Sequence, residues 1–337
     1  MYTIIHKLST FIAAGLLLAA CSPYFDPGLS ESGDQMLLEG VVAGGGTSWL
    51  SLSRVTPLGA SHRDPTDFTI KEIEVKTGGR SIDVRLWDAQ HWYFTETAVP
   101  GTVLDIHILT EDAGEIRAST TIPRAPEIKG VETELATMQG GDAAIQITLY
   151  LDEYIEPEDR FGLVVQREYT RVVIGPDGEQ EDVFTYCTSM EPGSYAEDEY
   201  LDRLMQGRTR MCVPVALDGQ TKDQMLLLQG RDFRAAGITA LYQTLFDHED
   251  MLEDGREILR LFRFRCRLYR LSPELYNYLA AQYNRENSYQ IRYGLAPANY
   301  NYSNVHGGYG IFGALSAPAE TPWLDNVAVS APDSANE

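Results

Sequence analysis

Leu104-Asp105-Ile106-His107-Ile108-Leu109-Thr110-Glu111-Asp112-Ala113-Gly114-Glu115-Ile116-Arg117-Ala118-Ser119-Thr120-Thr121-Ile122 is the stretch that decides the fold class. Leu104, Ile106 and Ile108 alternate with Asp105 and His107, the period-two pattern of a half-buried strand. Glu111-Asp112-Ala113-Gly114 then supplies a turn, and a second strand is expected from Ile116 to Ile122. The same grammar extends towards the N-terminus. Met36 to Val42 and Ser48 to Val55 flank Gly44-Gly45-Gly46, a turn between strands, and Ile73, Val75, Ile82, Val84 and Leu86 alternate with polar or charged residues. Short strands at this spacing predict an immunoglobulin-like β-sandwich over 36–125.

Pro123 to Pro126 reads as a junction, with a larger β-rich domain over 126–317 behind it. Strands are expected at Ala143 to Leu151, at Phe161 to Ile174 and at Asp182 to Cys187, the last two joined by a Gly175-Pro176-Asp177-Gly178 turn. Leu261 to Leu271 predicts a long strand with Arg263, Arg265 and Arg267 on one face. Two or three short helices are expected among the strands. Ser194 and Glu197 form a capping-box pattern ahead of Leu201, Leu204 and Met205. Ser272-Pro273-Glu274 places an N-cap, a proline at the first helical position and an acid in the first turn, ahead of Leu275, Tyr276, Leu279 and Tyr283. The small, polar segment 318–337 is expected to be a disordered tail.

The extreme N-terminus belongs to a different physics. Lys7 is followed by an apolar run from Leu8 to Ala20, about a dozen residues, too short for a bilayer span and suited to the core of a signal peptide. It ends in Leu18-Ala19-Ala20-Cys21, the pattern of a lipoprotein cleavage site, so 1–20 is read as a leader and Cys21 as the lipidated residue. Each buried methylene adds ~0.8 kcal/mol, and a single acyl chain holds weakly, so lasting attachment needs a multiply acylated, palmitate-bearing cysteine. The Pro-, Gly- and Ser-rich segment 21–35 then reads as a flexible tether.

Composition sets outer bounds. A chain of 337 residues with 44% hydrophobic residues and 19 tyrosines can build a sizeable core. Its formal net charge of −22 becomes one unit more negative when Lys7 leaves with the leader. Such a surface repels phosphate backbones and anionic headgroups, which argues against nucleic-acid partners. Of the four cysteines, Cys21 is committed to lipid. Cys187 and Cys212 enclose a polar, turn-rich stretch and are the expected disulfide, worth roughly 3 kcal/mol in chain entropy. Cys266 alternates with Phe262, Phe264 and Leu268 and reads as a buried free thiol.

Motifs that carry chemistry are few. Gly308-Tyr309-Gly310-Ile311-Phe312-Gly313 matches a dinucleotide-binding pattern letter by letter, yet that site needs a strand before it and a helix after it, and here aromatic and alternating residues surround the motif and Pro318 follows closely. A terminal strand with glycines at close approaches accounts for it better. Gly44-Gly45-Gly46-Thr47-Ser48 lacks the lysine of a phosphate loop. Asp247, His248, Glu249 and Asp250 lack the spacing of an EF-hand or zinc helix, so no metal is expected. His62, His91, His107 and His306 are scattered, and no nucleophile elbow surrounds any serine. Trp87, Trp92 and Tyr93, with Phe94, are the candidate aromatic platform for a sugar or peptide, against the alternative that they are core.

Three landmarks in the second half carry a resemblance: Phe246-Asp247-His248-Glu249-Asp250-Met251-Leu252-Glu253-Asp254-Gly255, Ser272-Pro273-Glu274-Leu275-Tyr276-Asn277-Tyr278-Leu279 and Asn304-Val305-His306-Gly307-Gly308-Tyr309-Gly310-Ile311-Phe312-Gly313-Ala314. With Leu38-Glu39-Gly40 and Leu52-Ser53-Arg54, they resemble the Bacteroidetes outer-membrane lipoproteins of domain of unknown function 4249 across nearly all of the mature chain. The resemblance implies an outer-membrane lipoprotein associated with a TonB-dependent transporter, and it brings neither catalytic residues nor a cofactor. The expected function is therefore non-enzymatic: capture of a small-molecule, glycan or peptide ligand beside a transporter barrel. A surface hydrolase with a spatially assembled site, or a structural or adhesive surface protein, are the alternatives.

Overall fold

The computed structural model describes residues 35–55, 64–88, 90–95, 99–111, 114–137, 143–175, 177–190, 211–217, 219, 221–233, 237–243, 257–287 and 302–325. Cys21, the capping pattern at Ser194 and the acidic stretch Asp247 to Asp250 lie outside them.

The alternation read from sequence produces eight strands in the first part of the chain. They are β1 (Gln35–Gly44), β2 (Thr47–Val55), β3 (Ile70–Thr77), β4 (Arg80–Ile82), β5 (Arg85–Leu86), β6 (His91–Thr95), β7 (Val103–Thr110) and β8 (Glu115–Thr121). Strands β9 (Ile128–Thr137), β10 (Ala143–Leu151), β11 (Arg160–Ile174), β12 (Gln180–Ser189), β13 (Met211–Ala216), β14 (Lys222–Gln229), β15 (Gly237–Gln243) and β16 (Glu257–Arg270) follow. Helix α1 (Pro273–Asn287) then leads to β17 (Tyr309–Ser316), β18 (Ala319–Glu320) and β19 (Leu324–Asp325). The fold is mainly β. Among the described residues α1 is its one α-helix, joined by a single 3-10 turn at Gly230–Asp232.

The first core lies between a four-stranded sheet, β4-β3-β7-β8, and a five-stranded sheet, β17-β1-β2-β6-β5. Leu104, Ile106 and Ile108 of β7 face Leu38, Leu50 and Leu52 across it, all within 2% of complete burial. Each such side chain stabilises by ~1.5–3 kcal/mol relative to an exposed one. The five-stranded sheet is not closed by its own half of the chain. β17 adds to it from far along the sequence and pairs in parallel with β1, Leu38 opposite Gly310 and Val42 opposite Ala314. The division at 125/126 drawn from sequence is therefore crossed by a strand. A parallel pair needs a long crossover, and here residues 45–308, most of the chain, supply it.

Around β1 and β17, both faces of that five-stranded sheet are covered. Phe312 and Ala314 enter the first core, whereas Val41, Ile311 and Leu315 point the other way, into a second core with Leu275, Tyr276 and Leu279 of α1. This explains why the closing stretch is apolar without alternation: a strand buried on both sides shows a continuous run. The far wall of the second core is a seven-stranded sheet with path β13-β14-β11-β16-β18, in which β12 also pairs with β11 and β19 with β16. Its opposite face packs Leu163, Val165, Cys266 and Leu268 against Ile145, Ile147 and Leu149 of the three-stranded sheet β15-β10-β9. Four sheets thus stack over three cores, with α1 wedged at the centre.

The segment 318–337 does not begin as a tail. Ala319 and Glu320 pair with Leu268 and Arg267, and Leu324 and Asp325 pair with Phe264 and Arg263. The Thr321 hydroxyl accepts the Cys266 backbone N–H at 3.0 Å, and Trp323 lies beneath the guanidinium groups of Arg263 and Arg265 at 4.9 and 4.8 Å. Composition misled here because β18 and β19 are two residues each. Strands that short cannot show a period.

Candidate functional site

Alternation along β16 sends Phe264, Cys266 and Leu268 into the third core and Arg263, Arg265, Arg267 and Tyr269 onto the other face. The five-stranded sheet and α1 cover that face only near Tyr269 and Leu271. Beyond the cover, the arginines form a ladder with fixed partners. Arg263 Nε donates to Glu168 Oε1 at 2.5 Å, Arg265 Nη2 to Gln166 Oε1 at 2.8 Å, and Arg267 Nε to Glu320 Oε1 at 2.8 Å. Arg265 Nη1 reaches the other Glu320 oxygen at 3.2 Å.

Where this polar face meets the edge of the five-stranded sheet, a cleft of about 570 Å³ opens. One wall is Gln166, Cys187, Ser189, Arg267 and Tyr269; the facing wall is the β1–β2 turn from Ala43 to Thr47, with Leu315 to Pro318. The β13–β14 turn, with Leu217, Thr221, Lys222 and Asp223, closes one side. Trp49 braces this frame: its indole N–H donates to the Ala216 carbonyl at 2.7 Å, and Gly219 lies against its ring. The glycine triplet that fails as a phosphate loop therefore has a place in the site, as part of a wall whose main chain a ligand can approach.

The electrostatics of the cleft suit holding more than attacking. Burial pushes the Tyr269 hydroxyl up to about 12, so it remains a hydrogen-bond donor. Burial also raises the Cys187 thiol, which keeps it protonated and a poor nucleophile. Sequence reasoning marked Arg267 and the Gly44 turn without connecting them. The only signal was the charged face of β16, and nothing in the order of residues announces which hairpin will lie opposite.

The aromatic platform divides. Trp92 is 7% exposed and Phe94 1%, both in the first core. Trp87 and Tyr93 point outward as an edge-to-face pair with centroids 6.3 Å apart, and Trp87 is 45% exposed. Trp92 therefore cannot contact a ligand with its neighbours. It alternates with Tyr93 along β6, and adjacent residues of a strand face opposite ways.

The expected disulfide is also absent: Cys187, Cys212 and Cys266 are all free. Cys187 is opposite Glu168 on the arginine face, whereas Cys212 is opposite Leu226, whose side chain enters the third core. The two thiols leave opposite faces of one sheet, a geometry no disulfide spans without moving the backbone. Cys266 is buried, as its alternation predicts.

On the outer face of the four-stranded sheet, ligand atoms of Glu72, Glu74 and His107 lie within 4.8 Å of one another, close enough for a metal ion. Two of these groups already have partners. Lys76 Nζ is 2.6 Å from Glu74, holding its carboxyl below the usual range, and His107 Nε2 is 2.6 Å from Glu115. His91 is bound to Asp88 at 2.7 Å, and the His306 backbone bridges Arg117.

A family model for a domain of unknown function, DUF4249, matches residues 24–320. The chain belongs to the DUF4249 family. No curated protein matches it. Among solved structures, this DUF4249 member is similar at 11% identity to a calcium binding mutant of Bacteroides uniformis beta-glucuronidase 2, with TM-score 0.14, over 74% of this chain and 28% of that one. It is similar, also at 11% identity, to Bacteroides uniformis beta-glucuronidase, with TM-score 0.12, over 66% of this chain and 24% of that one. The chain thus spans about a quarter of the length of these proteins, and likenesses at those scores carry no argument about activity.

Proposed function

We propose that this DUF4249 protein is an outer-membrane lipoprotein, cut and acylated at Cys21, that captures a ligand in its cleft for a TonB-dependent transporter and does no chemistry on it. The observation that carries the reading is the cleft itself: about 570 Å³, braced by Trp49 and lined by arginine, amide and hydroxyl groups. Ligand sites are commonly concave spaces of ~300–1,000 Å³ with a few convergent polar groups. The leader pattern ending at Cys21 supports the anchor. A lipid anchor confines the domain near the membrane plane and raises its effective concentration beside a barrel there, so a modest interface suffices. In the same reading, the five- and four-stranded sheets form an immunoglobulin-like sandwich whose last strand is donated by the far end of the chain.

The experiment is purification of the protein from native membranes in gentle detergent, with identification of whatever comes along. A TonB-dependent barrel in the complex is the expected result, and Cys21→Ala should remove both fatty-acid labelling and membrane attachment. A protein that purifies alone and turns over a peptide, ester or glycan would replace this reading with an enzymatic one.

A further inference from the structure

The charged side chains that line the cleft are of opposite balance to the molecule as a whole. Arg267 has its Nε engaged by Glu320 at 2.8 Å, and its side chain lines the cleft. Glu320 is itself gripped by Arg265 at 3.2 Å, so the guanidinium is held from behind. Its two terminal nitrogens make no hydrogen bond among the described residues, and the guanidinium lies over the Tyr269 ring, 5.6 Å from its centroid. Gln166 uses its carbonyl oxygen on Arg265, which leaves its amide N–H groups for the cleft. Lys222 stands exposed at the rim. Of the lining residues only Asp223 carries negative charge, so two cations face one carboxylate in a chain of net charge −22. A local inversion of that kind focuses anions against the general field.

A planar guanidinium with two terminal NH2 groups free of hydrogen bonds matches a carboxylate in shape and charge. Around it, the Thr47 hydroxyl and the main chain of the Gly44 to Gly46 turn offer both donors and acceptors. These suit the hydroxyl or amide groups of a polar ligand.

We infer that the cleft binds a small organic carboxylate bearing hydroxyl or amide groups, its carboxylate on Arg267 with Lys222 at the rim. The inference rests on the ligand-capture reading and names the ligand class. Two sources share this chemistry, sugar acids and the C-termini of short peptides, and the test separates them.

Titration calorimetry on the full-length, detergent-solubilised protein would use two matched pairs: gluconate with sorbitol, and triglycine with its C-terminal amide. The expected result is that one carboxylate binds at least about tenfold more tightly than its neutral counterpart, since the charge-assisted pair is lost in the latter. Affinity should fall as salt rises. Arg267→Gln should weaken binding about tenfold or more, with Arg267→Lys in between because the charge stays and the fork is lost. If Arg267→Gln fails to fold, Lys222→Gln at the exposed rim decides, with severalfold weaker binding expected. The inference is overturned if neither carboxylate binds, if the neutral partners bind equally well, or if folded Arg267→Gln or Lys222→Gln binds unchanged. A barrel that co-purifies with a protein binding no carboxylate ends this inference and leaves the transporter reading standing. Carboxylate binding by a protein that purifies alone does the reverse.

Discussion

Ser272 and Ala314 hold each other by two hydrogen bonds: the Ser272 N–H donates to the Ala314 carbonyl at 2.8 Å, and the Ala314 N–H donates to Ser272 Oγ at 3.1 Å. The same hydroxyl oxygen accepts the Leu275 N–H at 3.3 Å, which makes it the N-cap of α1. One serine, 1% exposed, therefore fastens the helix to the strand that closes the first sheet. Its side chain ties together two of the three landmarks that carry the family resemblance in the sequence.

Ser272→Ala removes the cap and leaves the Ala314 N–H buried without a partner. A lost cap costs ~1 kcal/mol and an orphaned buried donor ~1–3 kcal/mol. Denaturant unfolding should show a stability loss of about 2–4 kcal/mol with the slope unchanged. A loss under about 0.5 kcal/mol, the range of ordinary surface changes, would mean that the serine is not the joint described.

Gly310 sits opposite Leu38 in the parallel pair with φ +108, and a Cβ there would stand 1.9 Å from the Leu38 carbonyl oxygen. Gly310→Ala should cost ~1–3 kcal/mol from backbone conformation alone, with steric overlap added. Limited proteolysis should then release β17 from the first sheet. A variant as protease-resistant as the parent would show that the pairing tolerates a side chain.

The divided aromatic cluster predicts opposite outcomes for neighbouring tryptophans. Trp92→Ala empties a core position and should cost ~3–5 kcal/mol, whereas Trp87→Ala at the surface should stay within ~0.5 kcal/mol. Thermal unfolding of the two variants side by side measures the contrast, and equal losses would contradict it.

Mass mapping of the native protein without reductant should return Cys187, Cys212 and Cys266 as free thiols. Exposed Cys187 should react first with a maleimide at pH 8. Cys266, its thiol pushed up to about 12 by burial, should react only after denaturation. A bridge between Cys187 and Cys212 would require the two faces of the sheet to be rearranged.

Periodicity and punctuation were enough for much of this protein. The alternation of Leu104, Ile106 and Ile108, the turn at Gly44 to Gly46, the N-cap at Ser272 and the arginine face of β16 are local facts. Each depends on residues a few positions apart, so a linear reading finds it. The candidate cleft was legible only in pieces: Arg267 as one of a row, the glycines as a turn.

Sequence alone thus determined that the chain is built of strands, which side chains on each strand share a face, and where its principal helix begins. Tertiary structure decided which strands meet. It carried β17 back to β1, set Trp92 inside while Trp87 stayed outside, put Cys187 and Cys212 on opposite faces, and brought the Gly44 turn against Arg267. The physical reason is the range of the forces involved. Alternation and capping arise between neighbours along the backbone. Burial on both faces, parallel pairing and the convergence of a cleft are settled only when distant apolar surfaces find one another.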